Sequence, residues 1–283
     1  MNIFEVLDKN GLSPAVEFKR LIFLFNESRY FDGDEGLSFI FKFLFEDFWP
    51  CLPMHIRRTS INFDDLLKEL KLDEKRCNPI DWNKLFLLCE LLKNIINSAK
   101  PYLDKEPESA RNIAQQILTN IDFILEKSNH KWAKIKEGYI IVKKNAATAE
   151  AIQCLDKGND NLAVNMLEYD RVLLKGNLQR KSEILANMAS YIEPWKKEFK
   201  ESIYYTLYTD ARELVNNLDI RHNNSGKGET PDYAKNWTSK EYEQWYDKTF
   251  HTLLMVILAK KQIEIKKDLN KLKNGNSQTR SFE

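Results

Sequence analysis

The chain has 283 residues, with 43 Lys and Arg against 42 Asp and Glu and a formal net charge of +1. Apolar residues make up 43% and charged residues 30%, enough to build a core and too apolar for general disorder. With 9 Gly and 8 Pro the chain is too poor in turn residues for a many-stranded β-sandwich or barrel, and its balanced charge argues against a strongly basic nucleic-acid scaffold while leaving room for a local basic groove.

Taken in chain order, Ser13 and Pro14 signal the start of a helix through about Phe25. Gly36 to Trp49 is dense in aromatics and its period is ambiguous, because odd positions alternate as in a strand; a buried helix ended by Pro50 and Pro53 is the expectation. Ser60 is expected to cap a short helix over Phe63–Leu70. Trp82, Leu85, Cys89, Leu92 and Ile96 recur at three- and four-residue spacing and predict a helix from Asp81 to Ser98. Ile113, Ile117, Ile121 and Ile124 do the same for Ser109–Glu126. Trp132–Lys143, with its apolar residues around Lys136-Glu137-Gly138, reads as a small β-hairpin.

Helices resume beyond Asn145. They are expected over Asn161–Leu174, Leu178–Ile192, Trp195–Leu218 and from Ser239 to about Lys273, with a loop over His222–Trp237. The inward face of the last helix reads Tyr242, Trp245 or Tyr246, Thr249, Leu253 and Val256. The expected fold is all-α: an N-terminal helical bundle over 1–145, a C-terminal helical domain over 146–275, a flexible tail over 276–283, and at most the one hairpin near 132–143.

Cys51, Cys77, Cys89 and Cys154 have neither CxxC spacing nor a nearby His at ligand spacing, so they read as buried free thiols and no metal or cofactor is expected. The opening MNIFEVLDKNGLSP has no basic n-region or long apolar h-region, and Leu253–Ala259 is too short to span a bilayer; a cytoplasmic protein without a membrane partner is expected. His55 and His130 read as surface residues. Asp32-Gly33-Asp34-Glu35-Gly36 is out of register with a calcium loop and reads as a capping turn. Gly226-Lys227-Gly228-Glu229-Thr230 lacks the earlier Gly, the Ser or Thr after Lys, and the preceding strand of a phosphate-binding loop. Asp247 and His251, four apart, read as a helix-surface pair. The run of Lys260, Lys261, Lys266, Lys267, Lys271 and Lys273 suits either phosphate contacts or a solvated helix end.

The chemically informative stretch is Asp219-Ile220-Arg221-His222-Asn223-Asn224-Ser225-Gly226-Lys227. An apolar stripe over Ile203, Leu207, Ala211, Leu214 and Leu218 extends at helical spacing to Arg221, with His222 on the same side. A guanidinium there needs a partner, a cleft or a ligand, and the pair suits phosphate binding with proton transfer. The same residues also suit ordinary helix-ending chemistry, and spacing leaves both readings open.

Three tracts carry a resemblance: Tyr169-Asp170-Arg171-Val172-Leu173-Leu174-Lys175-Gly176-Asn177-Leu178-Gln179-Arg180-Lys181, then Leu218-Asp219-Ile220-Arg221-His222-Asn223-Asn224, then Trp245-Tyr246-Asp247. With these the C-terminal part resembles the HEPN domain of bacterial abortive-infection and related defence proteins, while the N-terminal half resembles no family. The resemblance implies a HEPN-like helical bundle, often dimeric, in a defence or toxin-type protein with RNA, a protein partner or an antitoxin as possible partners. Many such domains are metal-independent RNases using an Arg, an adjacent polar residue and a His a few positions on. Arg221 then matches the Arg and His222 the polar position. As implied by the family, Arg221 binds the scissile phosphate, His222 acts as general base or acid, and Asn223, Asn224 and Lys227 contact substrate. The family His would fall at about 226 to 228, where this chain has Gly226, Lys227 and Gly228. Either His222 does the proton work from an altered position, aided by a two-fold partner in a homodimer through the C-terminal domain, or the domain binds RNA or a protein without cleaving, or the protein is a regulatory subunit of a defence complex whose contacts the N-terminal bundle makes.

Overall fold

A computed structural model describes residues 12–31, 37–46, 48–73, 79–218, 220 and 237–279. Helix makes up 71% and strand 8%, a mainly α fold. The chain separates into two compact units, Met1–Lys144 and Asn145–Glu283.

The first unit contains helices α1 (Pro14–Glu27), α2 (Met54–Arg57), α3 (Phe63–Glu69), α4 (Trp82–Ser98), α5 (Lys100–Leu103) and α6 (Glu108–Lys127). Two antiparallel hairpins complete it, β1 (Arg29–Phe31) with β2 (Ser38–Ile40), and β3 (His130–Ile135) with β4 (Gly138–Lys143). Asp81 caps α4 by accepting from the Lys84 amide at 2.9 Å. Helix α4 is apolar on most of its circumference, burying Leu85, Phe86, Leu88, Cys89, Leu92 and Ile95 among others, and α1, α2, α6 and β4 pack around it.

Both hairpins leave a free edge, and helix side chains satisfy it. On α4, four residues apart, Glu90 accepts from the Ile141 amide at 2.8 Å, while Asn94 accepts from the Tyr139 amide at 2.8 Å and donates to its carbonyl at 2.9 Å. The helix thus stands in for a third strand. Gly138 begins this edge at φ 144°, and a Cβ there would collide with Asn94 Oδ1. On α6, Ser109 Oγ accepts from the Phe31 amide at 3.1 Å and donates to its carbonyl at 2.8 Å.

The aromatic tract departs from the helix expected over Gly36–Trp49. It forms β2 and then 3₁₀ turns at Phe41–Phe45 and Trp49–Cys51. Phe39 stacks on Tyr30 across the hairpin, and Phe25 collects Phe41, Phe45 and Phe63 at centroid distances of 5.8, 5.1 and 4.3 Å. Strand pairing and aromatic packing with distant residues outweigh local helical preference here. The chain therefore has a second hairpin beside the expected one. Asn62, not Ser60, caps α3, accepting from the Asp65 amide at 2.9 Å. Cys89 is buried, but Cys51 is exposed and Cys154 half-buried, so the thiols are not uniformly interior. Cys77 and the Asp32–Gly36 turn lie outside the described residues.

The second unit contains α7 (Ala146–Gln153), α8 (Asp160–Tyr169), α9 (Leu178–Ile192), α10 (Lys196–Lys200), α11 (Tyr205–Asn217) and α12 (Ser239–Thr279). Helix α12 is the hub: α7, α9 and α11 pack along it. Its buried face, Tyr246, Thr249, Phe250, Leu253, Val256 and Ile257, meets Ile184, Leu185 and Met188 of α9 and Tyr208 and Ala211 of α11 in one core. The helix runs to Thr279, beyond the expected end near Lys273.

The single helix expected over Trp195–Leu218 is broken. Pro194 sits in a 3₁₀ turn, Glu193–Trp195, and after α10 the Ser202 hydroxyl donates to the Phe199 carbonyl at 2.9 Å and accepts from the Tyr204 amide at 3.1 Å. These local bonds replace a helical turn.

His130, expected at the surface, is 2% exposed because β3 begins against α4, with its ring 4.7 Å from Phe86 and Nδ1 donating to the Ser128 carbonyl at 2.7 Å. Burial lowers its pKa to about 4. The folded state therefore binds this proton more weakly than the unfolded chain. Stability from the neutral ring is complete above the unfolded value and is lost as pH falls from about 6.5 toward about 4. Urea unfolding is expected to show wild type losing roughly 2–3 kcal/mol more than His130→Phe between pH 7 and 4.5. Identical pH slopes in the two proteins would refute this.

Candidate functional site

Arg221, His222, Asn223, Asn224 and Lys227 all lie outside the described residues, as does the stretch Gly226–Thr230. The stripe that pointed to Arg221 is corrected by its described part. Ile203 lies before α11 and is 77% exposed, and the buried face of α11 is instead Tyr208, Ala211 and Val215, followed by Leu218. Helix α11 ends at Asn217 with Leu218 as its C-cap, so helical register cannot be carried on to position 221.

The two flanks of the 221–236 stretch are well defined. On the incoming side, Ile220 is buried and the Tyr246 hydroxyl donates to the Leu218 carbonyl at 3.4 Å. On the outgoing side, Trp237 stacks on Trp245 at 5.7 Å with 4° between the rings, and Lys248 Nζ lies 3.9 Å from the Trp245 ring centre. Thr238 and Glu241 then form a capping box that starts α12: the Thr238 amide donates to Glu241 at 2.7 Å and the Glu241 amide donates to Thr238 Oγ1 at 3.3 Å. Leu218 and Trp237 thus contact Tyr246 and Trp245, adjacent residues on α12.

Glu243 and Asp247, which bracket Trp245 and Tyr246 on α12, belong to a polar cluster. Lys181, the fourth residue of α9, is 5% exposed. Its ammonium meets Glu243 at 2.9 Å and Asp247 at 2.6 Å, and it lies 5.2 Å from the centre of the Tyr169 ring. Tyr169 donates its hydroxyl to Asp247 at 3.1 Å and stacks on Phe250 at 4.0 Å. The turn before α9 delivers the last donor. Gly176, at φ 81°, points its amide at Glu243, 2.7 Å away, and Asn177 caps α9 by accepting from the Arg180 amide at 3.1 Å. Glu243 and Asp247, four apart, share one side of α12.

The electrostatics follow from these contacts. Partial burial pushes Glu243 up, but the Gly176 amide and Lys181 outweigh it and hold the carboxyl below its ordinary range. Burial, and then the Asp247 charge, drive the Tyr169 hydroxyl far above the ordinary tyrosine range, so it stays a donor. The ammonium is committed to two carboxylates and a ring face, which makes this cluster an anchor between α8, α9 and α12.

Sequence reasoning met Tyr169 and Lys181 only within the resembling tracts, paired Asp247 with His251, and missed Glu243. The available signal was a lysine on the otherwise apolar stripe Lys181, Ile184, Leu185, Met188. Asp247 and His251 do not pair through the carboxylate: Asp247 turns to Lys181 and Tyr169, and His251 Nδ1 meets the Asp247 carbonyl at 2.8 Å. The lysines of α12 are largely neutralised, Lys260 by Glu198 and Glu264, Lys267 by Glu198, and Lys271 by Asp268. Among the described residues no His, Cys, Asp and Glu group could hold a metal ion, and no helix is long and apolar enough to cross a membrane.

No protein-family model matches the chain, and neither a curated protein nor a solved structure matches it.

The anchor's weight is testable by comparing two lysines. Lys181→Ala strands the partly buried Glu243 beside the half-exposed Asp247 and is expected to cost about 2 kcal/mol. Lys267→Ala removes a pair whose lysine is 59% exposed and is expected to cost under about 1 kcal/mol. Equal losses in denaturant unfolding would show that Lys181 is not an anchor.

Proposed function

We propose that the protein is a defence- or toxin-type protein whose C-terminal unit is a HEPN-like module acting on RNA. In this reading Arg221 engages a phosphate with its planar fork, His222 transfers the proton to or from the 2′-hydroxyl or the leaving oxygen, and Asn223, Asn224 and Lys227 hold the strand. No metal takes part in this scheme. The observation that carries it is the anchorage of the stretch: Leu218 on Tyr246 and Trp237 on Trp245 tie both of its ends to one place on α12. Two segment ends held together on one helix suit a binding loop between them. The three tracts behind the resemblance also meet here, through Tyr169, Lys181 and Asp247 on one side and Leu218 and Tyr246 on the other.

A second reading, RNA binding without cleavage, is favoured by one specific feature: Gly226, Lys227 and Gly228 stand where the family His belongs.

Purified wild type and Arg221→Ala, both confirmed as folded by circular dichroism, are incubated with mixed cellular RNA in EDTA. Cleavage by wild type alone is the expected result. RNA retained but intact, with affinity falling steeply as salt rises, would select the binding reading. Neither cleavage nor retention would overturn both.

A further inference from the structure

Helix α11 has a second face besides the one it buries. Tyr205, Thr209, Arg212, Glu213 and Asn216 recur at three- and four-residue spacing and, with Lys196 of α10, line an open cleft of about 360 Å³. That volume lies in the range of small-ligand sites, about 300–1,000 Å³.

The chemistry of the cleft is set by two cations without strong partners. Among the described residues Arg212 pairs with Glu193 alone, at 3.5 Å, and its side chain is 29% exposed. Lys196 lines the cleft without an ion pair to any described residue. They contrast with the lysines of α12, whose ammonium groups are spent on Glu198, Glu264 and Asp268. Two cations facing one hollow call for an anion, and an arginine fork is shaped for phosphate oxygens. Tyr205, 37% exposed, offers a ring face at the same hollow. Asn216 supplies amide donors and an acceptor, and Glu213 an acceptor that suits an exocyclic amine and repels a phosphate.

We infer that the α10–α11 cleft takes one nucleotide of single-stranded RNA, with its phosphate between Lys196 and Arg212 and its base stacked on Tyr205. This rests on the RNA reading and extends it. The helix that lines the cleft ends at Asn217, four positions before Arg221 in the sequence. The strand is held by charge and stacking, the two terms that dominate single-strand binding.

The test uses the full chain and two probes. One is a fluorescein-labelled, 2′-O-methylated single-stranded RNA, which cannot be cleaved through its 2′-oxygen, followed by anisotropy. The other is adenosine monophosphate, followed by calorimetry. Lys196→Ala and Tyr205→Ala change exposed side chains and leave the core intact. Each is expected to weaken RNA binding roughly 10-fold. Lys196→Ala is also expected to lower the salt slope by about 1, which a purely structural role would not do. If Arg221→Ala loses RNA while Lys196→Ala and Tyr205→Ala bind as wild type does, the cleft assignment is overturned and the RNA reading stands. If wild type binds adenosine monophosphate in a Lys196-dependent way but not RNA, the site is one for free nucleotides and the RNA assignment is overturned. Binding of neither probe overturns the cleft and the RNA reading together.

Discussion

The second unit is organised around one buried ammonium. Lys181 projects from α9 between two carboxylates of α12, and only one alignment of the two helices satisfies it. Removing a lysine from water is costly, and two charge-assisted contacts, a ring face and the surrounding packing offset that cost only if they form together. Apolar packing alone tolerates sliding of one helix along another; a buried cation with two fixed acceptors does not. Its neighbour Arg180 acts in the opposite direction, gripping Glu168 of α8 through two bonds of 2.9 and 2.7 Å. Adjacent residues of α9 thus fix the helix to α8 on one side and to α12 on the other. The consequence reaches the flanks of the 221–236 stretch, because Trp245 and Tyr246, which contact Trp237 and Leu218, lie between Glu243 and Asp247 on the same helix.

The first unit solves a different problem by a related means. Two hairpins of two strands each are too small to stand alone, and each exposes an edge. Glu90, Asn94 and Ser109 supply the missing hydrogen-bond partners from helices. Polar side chains on otherwise buried helix faces therefore determine where the hairpins dock and in which register. A glycine at position 138 is part of the same device, since it lets Asn94 approach the strand end.

Much of the helical framework was legible because it is local. The three- and four-residue recurrence in α4 and α6 marked both helices within a few residues, and Thr249, Leu253 and Val256 of the last helix face inward as their spacing implied. The hairpin near 132–143 was legible from its clustered β-formers. What escaped depends on distant partners. Phe39 becomes a strand residue because Tyr30 lies across from it, and His130 is buried because α4 packs against β3. Lys181 and Asp247 are separated by 66 positions, so no local pattern pairs them. For the candidate site, sequence spacing carried the α11 stripe one step too far: Ser202 delays the start of the helix and Leu218 ends it before Arg221. The cleft at Lys196 and Arg212 was invisible for the same reason, since it exists only where α10 turns back on α11.

The most direct test of this account is a double-mutant cycle on Lys181 and Asp247, using Lys181→Met, Asp247→Asn and the double variant in denaturant unfolding. The account predicts a coupling free energy of about 1–3 kcal/mol, with the double variant much less destabilised than the two single losses together. Additive losses, with coupling near zero, would contradict it and leave the α9–α12 register to apolar packing alone.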